Sequence, residues 1–263
     1  MSNSIWTLRI LTGFIMFAVI YKIWQAKKGR RLFIRRIPGL NNIEEAVGRA
    51  TEMGRPAAFG AGIFGMDQMP TLAALAILQY VAELCAKLGA RLIVPVCIEN
   101  VLPAAQDICY EAWKTQGKED EYNPDDVRFV PGGQLYYAIA SRGWMQREKV
   151  VAGFYFGHWE AESIMFGETG QALGAIQIAG TEQLFQTPFF IATCDYVLIA
   201  DEFYAASAFL SKEPVMVGSI GGQDWGKIVF IIIVLAVSIL ATIHGFHNHA
   251  DAAKNWLNVL LGK

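Results

Sequence analysis

The run Gly157-His158-Trp159-Glu160-Ala161-Glu162-Ser163 sets one imidazole beside two carboxylates. Such a set can move protons near neutral pH or hold a metal. His158 and Glu162, four apart, share a helical face only if His158 lies in the first turn, and Glu160 and Glu162, two apart, diverge. The structural alternative is a helix start, where acids favour the positive end of the dipole. A second pattern, Gly60-Ala61-Gly62-Ile63-Phe64-Gly65, spells G-x-G-x-x-G, which lets a backbone approach a pyrophosphate. Two details oppose a dinucleotide. Pro70 starts the next helix beyond the glycines rather than among them, and the acid due about 20 residues on finds only Glu83, in mid-helix, and Glu99, too late. Turn glycines are the alternative. Gly60, Gly62, Gly65, Glu99, His158, Glu160 and Glu162 form the candidate ligand-binding set. Near the C-terminus His244, His247 and His249, with Asp251, supply enough donors for Zn²⁺ or Cu²⁺; histidines at a membrane interface are the plainer account. No G-x-S-x-G, H-E-x-x-H or G-x-x-x-x-G-K-[ST] is present. The commonest hydrolase, zincin and P-loop signatures are thereby excluded, no catalytic residue is assigned, the reading leans away from an enzyme, and the cofactor is unknown.

These residues need a scaffold that brings loops together. Short β-rich runs recur between helical patterns: Ala57 to Gly62, Arg91 to Ile98, Val127 to Val130, Val150 to Phe156, Ala175 to Ala179, Asp195 to Ala200 and Pro214 to Val217. The alternation predicts an α/β fold, a mostly parallel, doubly wound (Rossmann-like) sheet of six or seven strands. Pro95 inside the second run points to an edge strand or a bulge. In such a sheet ligands sit outside the carboxyl ends of the strands, where loops and helix N-termini converge. The glycine pattern, Glu99 and the His158 cluster all fall at such ends.

An apolar stretch closes each end of the 263-residue chain, Ile5 to Trp24 and Ile228 to Ile243. A spanning helix needs roughly 20 apolar residues, so the expected organisation is a transmembrane helix over 1–26, a basic juxtamembrane linker and helix over 27–55, a cytoplasmic α/β domain over 56–220, a second transmembrane helix over 221–246 and an amphipathic external tail over 247–263. A cleaved signal peptide is the competing reading of the first stretch, but no Ala-x-Ala-like site follows it. Lys27, Lys28, Arg30, Arg31, Arg35 and Arg36 follow instead, and basic flanks stay on the cytoplasmic side. The expected location is the plasma membrane, with both termini external. A net charge of −2 gives no reason to expect a nucleic-acid partner. Cys85, Cys97, Cys109 and Cys194 stand singly in apolar surroundings and read as buried reduced thiols.

The runs G-A-G-I-F-G, A-I-Q-I-A-G-T, F-F-I-A-T-C-D-Y-V-L-I-A-D-E and G-S-I-G-G-Q-D-W-G-K, between Gly54 and Lys227, resemble a bacterial and archaeal family of membrane-anchored proteins known as a domain of unknown function. The resemblance implies no activity and no site residue. Two classes of function follow from the residues. One is a non-catalytic module, bound to the lipid bilayer, that self-associates as a homo-oligomer or joins other membrane-complex subunits, since tethering raises effective concentration. The other is a sensor or enzyme for a nucleotide-like or anionic small molecule at the strand ends.

Overall fold

The structure, a computed structural model, describes residues 2–28, 41–211 and 214–260, the last stretch as backbone alone beyond 242. It divides into two compact units, Phe33–Val217 and the pair Met1–Leu32 with Gly218–Lys263.

In the first unit six strands, β1 (Ala57–Gly60), β2 (Leu92–Val96), β3 (Val127–Phe129), β4 (Ala152–Phe156), β5 (Ile176–Thr181) and β6 (Tyr196–Ile199), form one sheet in the order 3-2-1-4-5-6. All five pairings are parallel. Side chains alternate across it, as strand geometry requires. Phe59, Phe154 and Phe156 enter one core with α2 (Asn41–Met53), α3 (Met69–Leu88), α4 (Leu102–Thr115) and α8 (Asp201–Ser211). Ala58 and Tyr155 enter the other with α5 (Gln134–Glu148), α6 (Glu162–Leu173) and α7 (Thr187–Thr193). Ile43, Ala46, Val47 and Ala50 place α2 inside the first core, so part of the expected linker belongs to the domain.

Two expectations are corrected. Pro214 to Val217 is no strand; it opens a helix, α9 (Pro214–Leu260). Proline suits a first helical turn, where its missing N–H costs nothing, and the apolar run behind it continues the helix. Because α9 is unbroken to Leu260, no helix break separates the expected second span from the tail. Pro95 lies neither at an edge nor in a bulge, since β2 runs between β3 and β1. The Val96 carbonyl accepts from Val130 on the β3 side and the Arg91 carbonyl from Ala57 on the β1 side. Parity therefore turns the Pro95 nitrogen toward β1, one rung beyond the Ala58–Ile93 pair that ends the β1–β2 register. The missing donor falls where the ladder has stopped.

In the second unit α1 (Ser2–Lys27) and α9 run antiparallel. Glycines one turn apart allow this. A Cβ at Gly218 would stand 2.5 Å from the Ile23 Cα, and one at Gly222 would stand 2.6 Å from the Val19 Cα. Gly226 faces Ile15 at 3.9 Å. Small residues at this spacing let helix backbones approach closely.

At the amino end of the sheet Arg91 grips Asp126 with Nε at 2.9 Å and Nη2 at 2.7 Å, and Glu148 with Nη1 at 2.8 Å. The Asp126 carboxylate is buried and the guanidinium half-exposed. Arg91→Met should lower unfolding free energy in urea titrations of the full chain by about 1–3 kcal/mol, because it leaves a buried acid unpaired; Arg91→Met with Asp126→Asn should recover part of the loss.

Candidate functional site

The strand order reverses between β1 and β4, and there the two carboxyl-end loops meet. Gly157, at φ +117, turns the chain at the end of β4, and a Cβ on it would stand 2.6 Å from the Ala61 carbonyl oxygen. The turn brings His158 back across the loop after β1, where its carbonyl accepts from the Ile63 amide at 3.0 Å. Phe64 stacks on the imidazole with centroids 3.6 Å apart and planes 7° apart. The imidazole is 6% exposed.

His158 Nδ1 lies 2.5 Å from Glu182 Oε1, in the loop after the neighbouring strand β5. Nε2 faces Glu160 Oε1 at 3.9 Å. The ring is thus held between two carboxylates, one at each nitrogen, which fixes its orientation. Glu162 does something else. Its Oε1 accepts from the Glu160 amide at 2.6 Å and its Oε2 from Gln134 Nε2, so it closes the start of α6. Gln134 also reaches Glu160 Oε2 at 3.1 Å. The expected trio is thus divided: His158 and Glu160 meet, whereas no hydrogen bond or ion pair joins His158 to Glu162 among the described residues. Glu182 is not among the candidate residues read from the sequence, since the chain order does not say that β5 lies beside β4.

The three glycines approach protein atoms. A Cβ at Gly60 would stand 2.7 Å from the Trp159 ring, one at Gly62 2.5 Å from the His158 carbonyl oxygen, and one at Gly65 2.9 Å from Asp67 Oδ1. The helix behind them starts only at Met69. What the pattern achieves here is the seating of one loop on another, with fully buried Trp159 as the keystone. Its ring meets Phe166 at 5.0 Å and Phe190 at 5.9 Å, edge to face.

Glu99 stands apart from His158. It is exposed, opens the short turn Glu99–Val101 after β2, and rims a cavity of about 530 Å³ with Ile63, Cys97, Phe129, Gly133 and Gln134. The carboxyl-end loops 61–68, 97–101, 130–133, 157–162, 182–186 and 200–202 carry Asp67, Glu99, Glu160, Glu162, Glu182, Asp201 and Glu202 and neither lysine nor arginine. That field repels an anion. The side chains of His244, His247 and His249 lie outside the described residues, and among the described residues no group of three or more donors could hold a metal.

The four cysteines are free thiols. Burial pushes Cys97 up to about 11, with Glu162 adding to the shift. Burial likewise pushes Cys109 and Cys194 up to about 12, and Cys85 higher. A raised pKa means less thiolate, the reactive form. At pH 8 a chromogenic disulfide reagent should therefore titrate the native chain far more slowly than free cysteine, and all four thiols promptly in denaturant. Gly62→Ala should lower the melting temperature much more than Gly117→Ala. Both positions have positive φ, at +79 and +69, but a Cβ at Gly117 meets nothing within 4 Å. The Gly117 change should cost about 1–2 kcal/mol for backbone handedness alone, and the Gly62 change about 2 kcal/mol beyond that for the clash.

No curated protein and no solved structure shows a match to this chain. A sequence model of one family, described as a domain of unknown function (DUF6754), matches residues 2–252. That span takes in both units and every strand, and the chain belongs to the DUF6754 family.

Proposed function

We propose that this protein is a membrane-anchored module, non-catalytic, whose α/β domain lies on the cytoplasmic side of the plasma membrane and associates with further copies of itself. The observation that carries the reading is large apolar side chains left in the open. On α9 the uncharged stretch presents Ile228, Phe230, Ile231, Ile232 and Leu235 as exposed. Two helices among the described residues are long and apolar enough to cross a membrane, Met69–Leu88 and Pro214–Leu235. The first is α3, mostly buried and therefore a core helix; the second is mostly uncovered. So large an apolar surface calls for lipid or a partner. An antiparallel α1–α9 pair supports a topology with both chain termini on one side of the bilayer, and the basic residues after α1 favour the cytoplasm for the other side.

Self-association is supported by the α/β domain itself. Tyr136, 67% exposed, and Phe185, 84% exposed, stand with Leu135, Ile139, Leu184 and Phe189 on the layer that holds α5, α6 and α7. Aromatic and aliphatic groups of this size are what interface cores use. The sheet also ends in β6, an edge strand whose Tyr196 and Ile199 are exposed, and open edges invite pairing. Full-length chain extracted in detergent should run as an oligomer by mass photometry, and Tyr136→Ser with Phe185→Ser should shift it toward monomer without lowering its melting temperature. A wild-type monomer would refute self-association. Release of the chain from membranes by alkaline carbonate would refute the anchor.

A further inference from the structure

We infer that the groove between α1 and α9 binds one phospholipid with an anionic headgroup. The inference rests on the membrane reading above and names a specific partner for it. Phe14, Ala18 and Lys22 lie one turn apart on α1, with Phe17 and Tyr21 alongside, and Trp225 faces them from α9. Together they border a cavity of about 380 Å³. Its hollow comes from Ala18, whose buried methyl stands between two larger side chains.

One end of this groove is cationic and the rest apolar. Lys22 is half-buried, and its Nζ lies 5.4 Å from the centroid of the Trp225 ring. No ion pair among the described residues includes Lys22. A ring face attracts an ammonium group but accepts no conventional hydrogen bond, so its N–H donors still call for an anion. Gln25, one turn on, lines the same end and adds an amide donor. Lys27 and Lys28 close the helix just beyond, with Lys28 Nζ 3.6 Å from the Trp24 ring. Aromatics and lysines at a helix end belong at headgroup depth. A phosphate at Lys22 and Gln25 therefore leaves an acyl chain to run along Ala18, Phe17 and Phe14 toward the bilayer centre. Charge complementarity selects the headgroup, since a net negative lipid meets a cation that no acid among the described residues pairs with, whereas a zwitterionic headgroup brings its own ammonium.

Native mass spectrometry of the detergent-solubilised full chain tests this with added phosphatidylglycerol or phosphatidylcholine. The expected result is one tightly held phosphatidylglycerol per chain and weaker retention of phosphatidylcholine. Lys22→Gln should lower phosphatidylglycerol occupancy by about fivefold, the worth of one surface lysine against anionic lipid. Lys22→Arg should retain it, and Lys27→Gln, outside the groove, should change it little. Ala18→Leu, which fills the hollow and keeps the charge, should expel the lipid independently, so a misfolded Lys22 variant does not shelter the idea. Equal retention of both lipids, or wild-type phosphatidylglycerol binding by Lys22→Gln or Ala18→Leu, overturns the inference. Failure of the anchor is a separate result: carbonate would then release the wild-type chain, whereas a chain that stays in the membrane and binds no phosphatidylglycerol refutes the groove alone.

Discussion

The contact on which the carboxyl end of the sheet depends is the seating of the loop after β1 on the loop after β4. The Ile63 amide donates to the His158 carbonyl, and Gly62 and Gly157 remove the side chains that would hold the two backbones apart. A strand order that reverses between β1 and β4 leaves a crevice in open α/β sheets, and ligands commonly occupy it. Here Trp159, Phe64 and the imidazole of His158 fill it. With the crevice closed, the open volume moves to the ends of β1, β2 and β3, where Glu99 and Gln134 stand.

This closure also decides what the polar groups do. Glu162 is spent on the start of α6, and Gln134 ties that start to Glu160. His158 is held on one side by Glu182 and under one face by Phe64. Each of these bonds is made within the protein, so each stiffens the loops. Around them the edge is acidic and its rim apolar, a surface suited to protein contact more than to a phosphate. That contrast is what favours a binding module over a nucleotide site in the proposed reading.

Much of the architecture was legible because a parallel sheet buried on both faces leaves a strong mark, a short apolar run between helices. Ala152 to Phe156 and Ile176 to Thr181 were found to within two residues for that reason. Val215-Met216-Val217 bears the same mark and is helical, since local β preference yields to the long helix that follows. Pro95 misled in the opposite way. A rule about missing donors holds only where a ladder needs one, and the extent of the β1–β2 ladder is not written in β2. The site was half visible: His158 and Glu160 announce themselves, but Glu182 reaches His158 through strand adjacency, 24 residues along the chain.

Glycine makes the same point within each of the two units. At Gly60 and Gly62 its bare Cα admits an indole and a backbone carbonyl; at Gly218 and Gly222 it admits another helix. In sequence the first set resembles a phosphate motif, and the second straddles the expected boundary between the α/β domain and the second span. A glycine pattern states only that something comes close, and the identity of the neighbour is supplied by the fold. For the first set the neighbour is Trp159 and His158, which carries the argument away from a nucleotide. For the second it is α1, and a helix pair drawn together by glycines while its outer faces stay apolar is the arrangement expected of helices that pack within lipid.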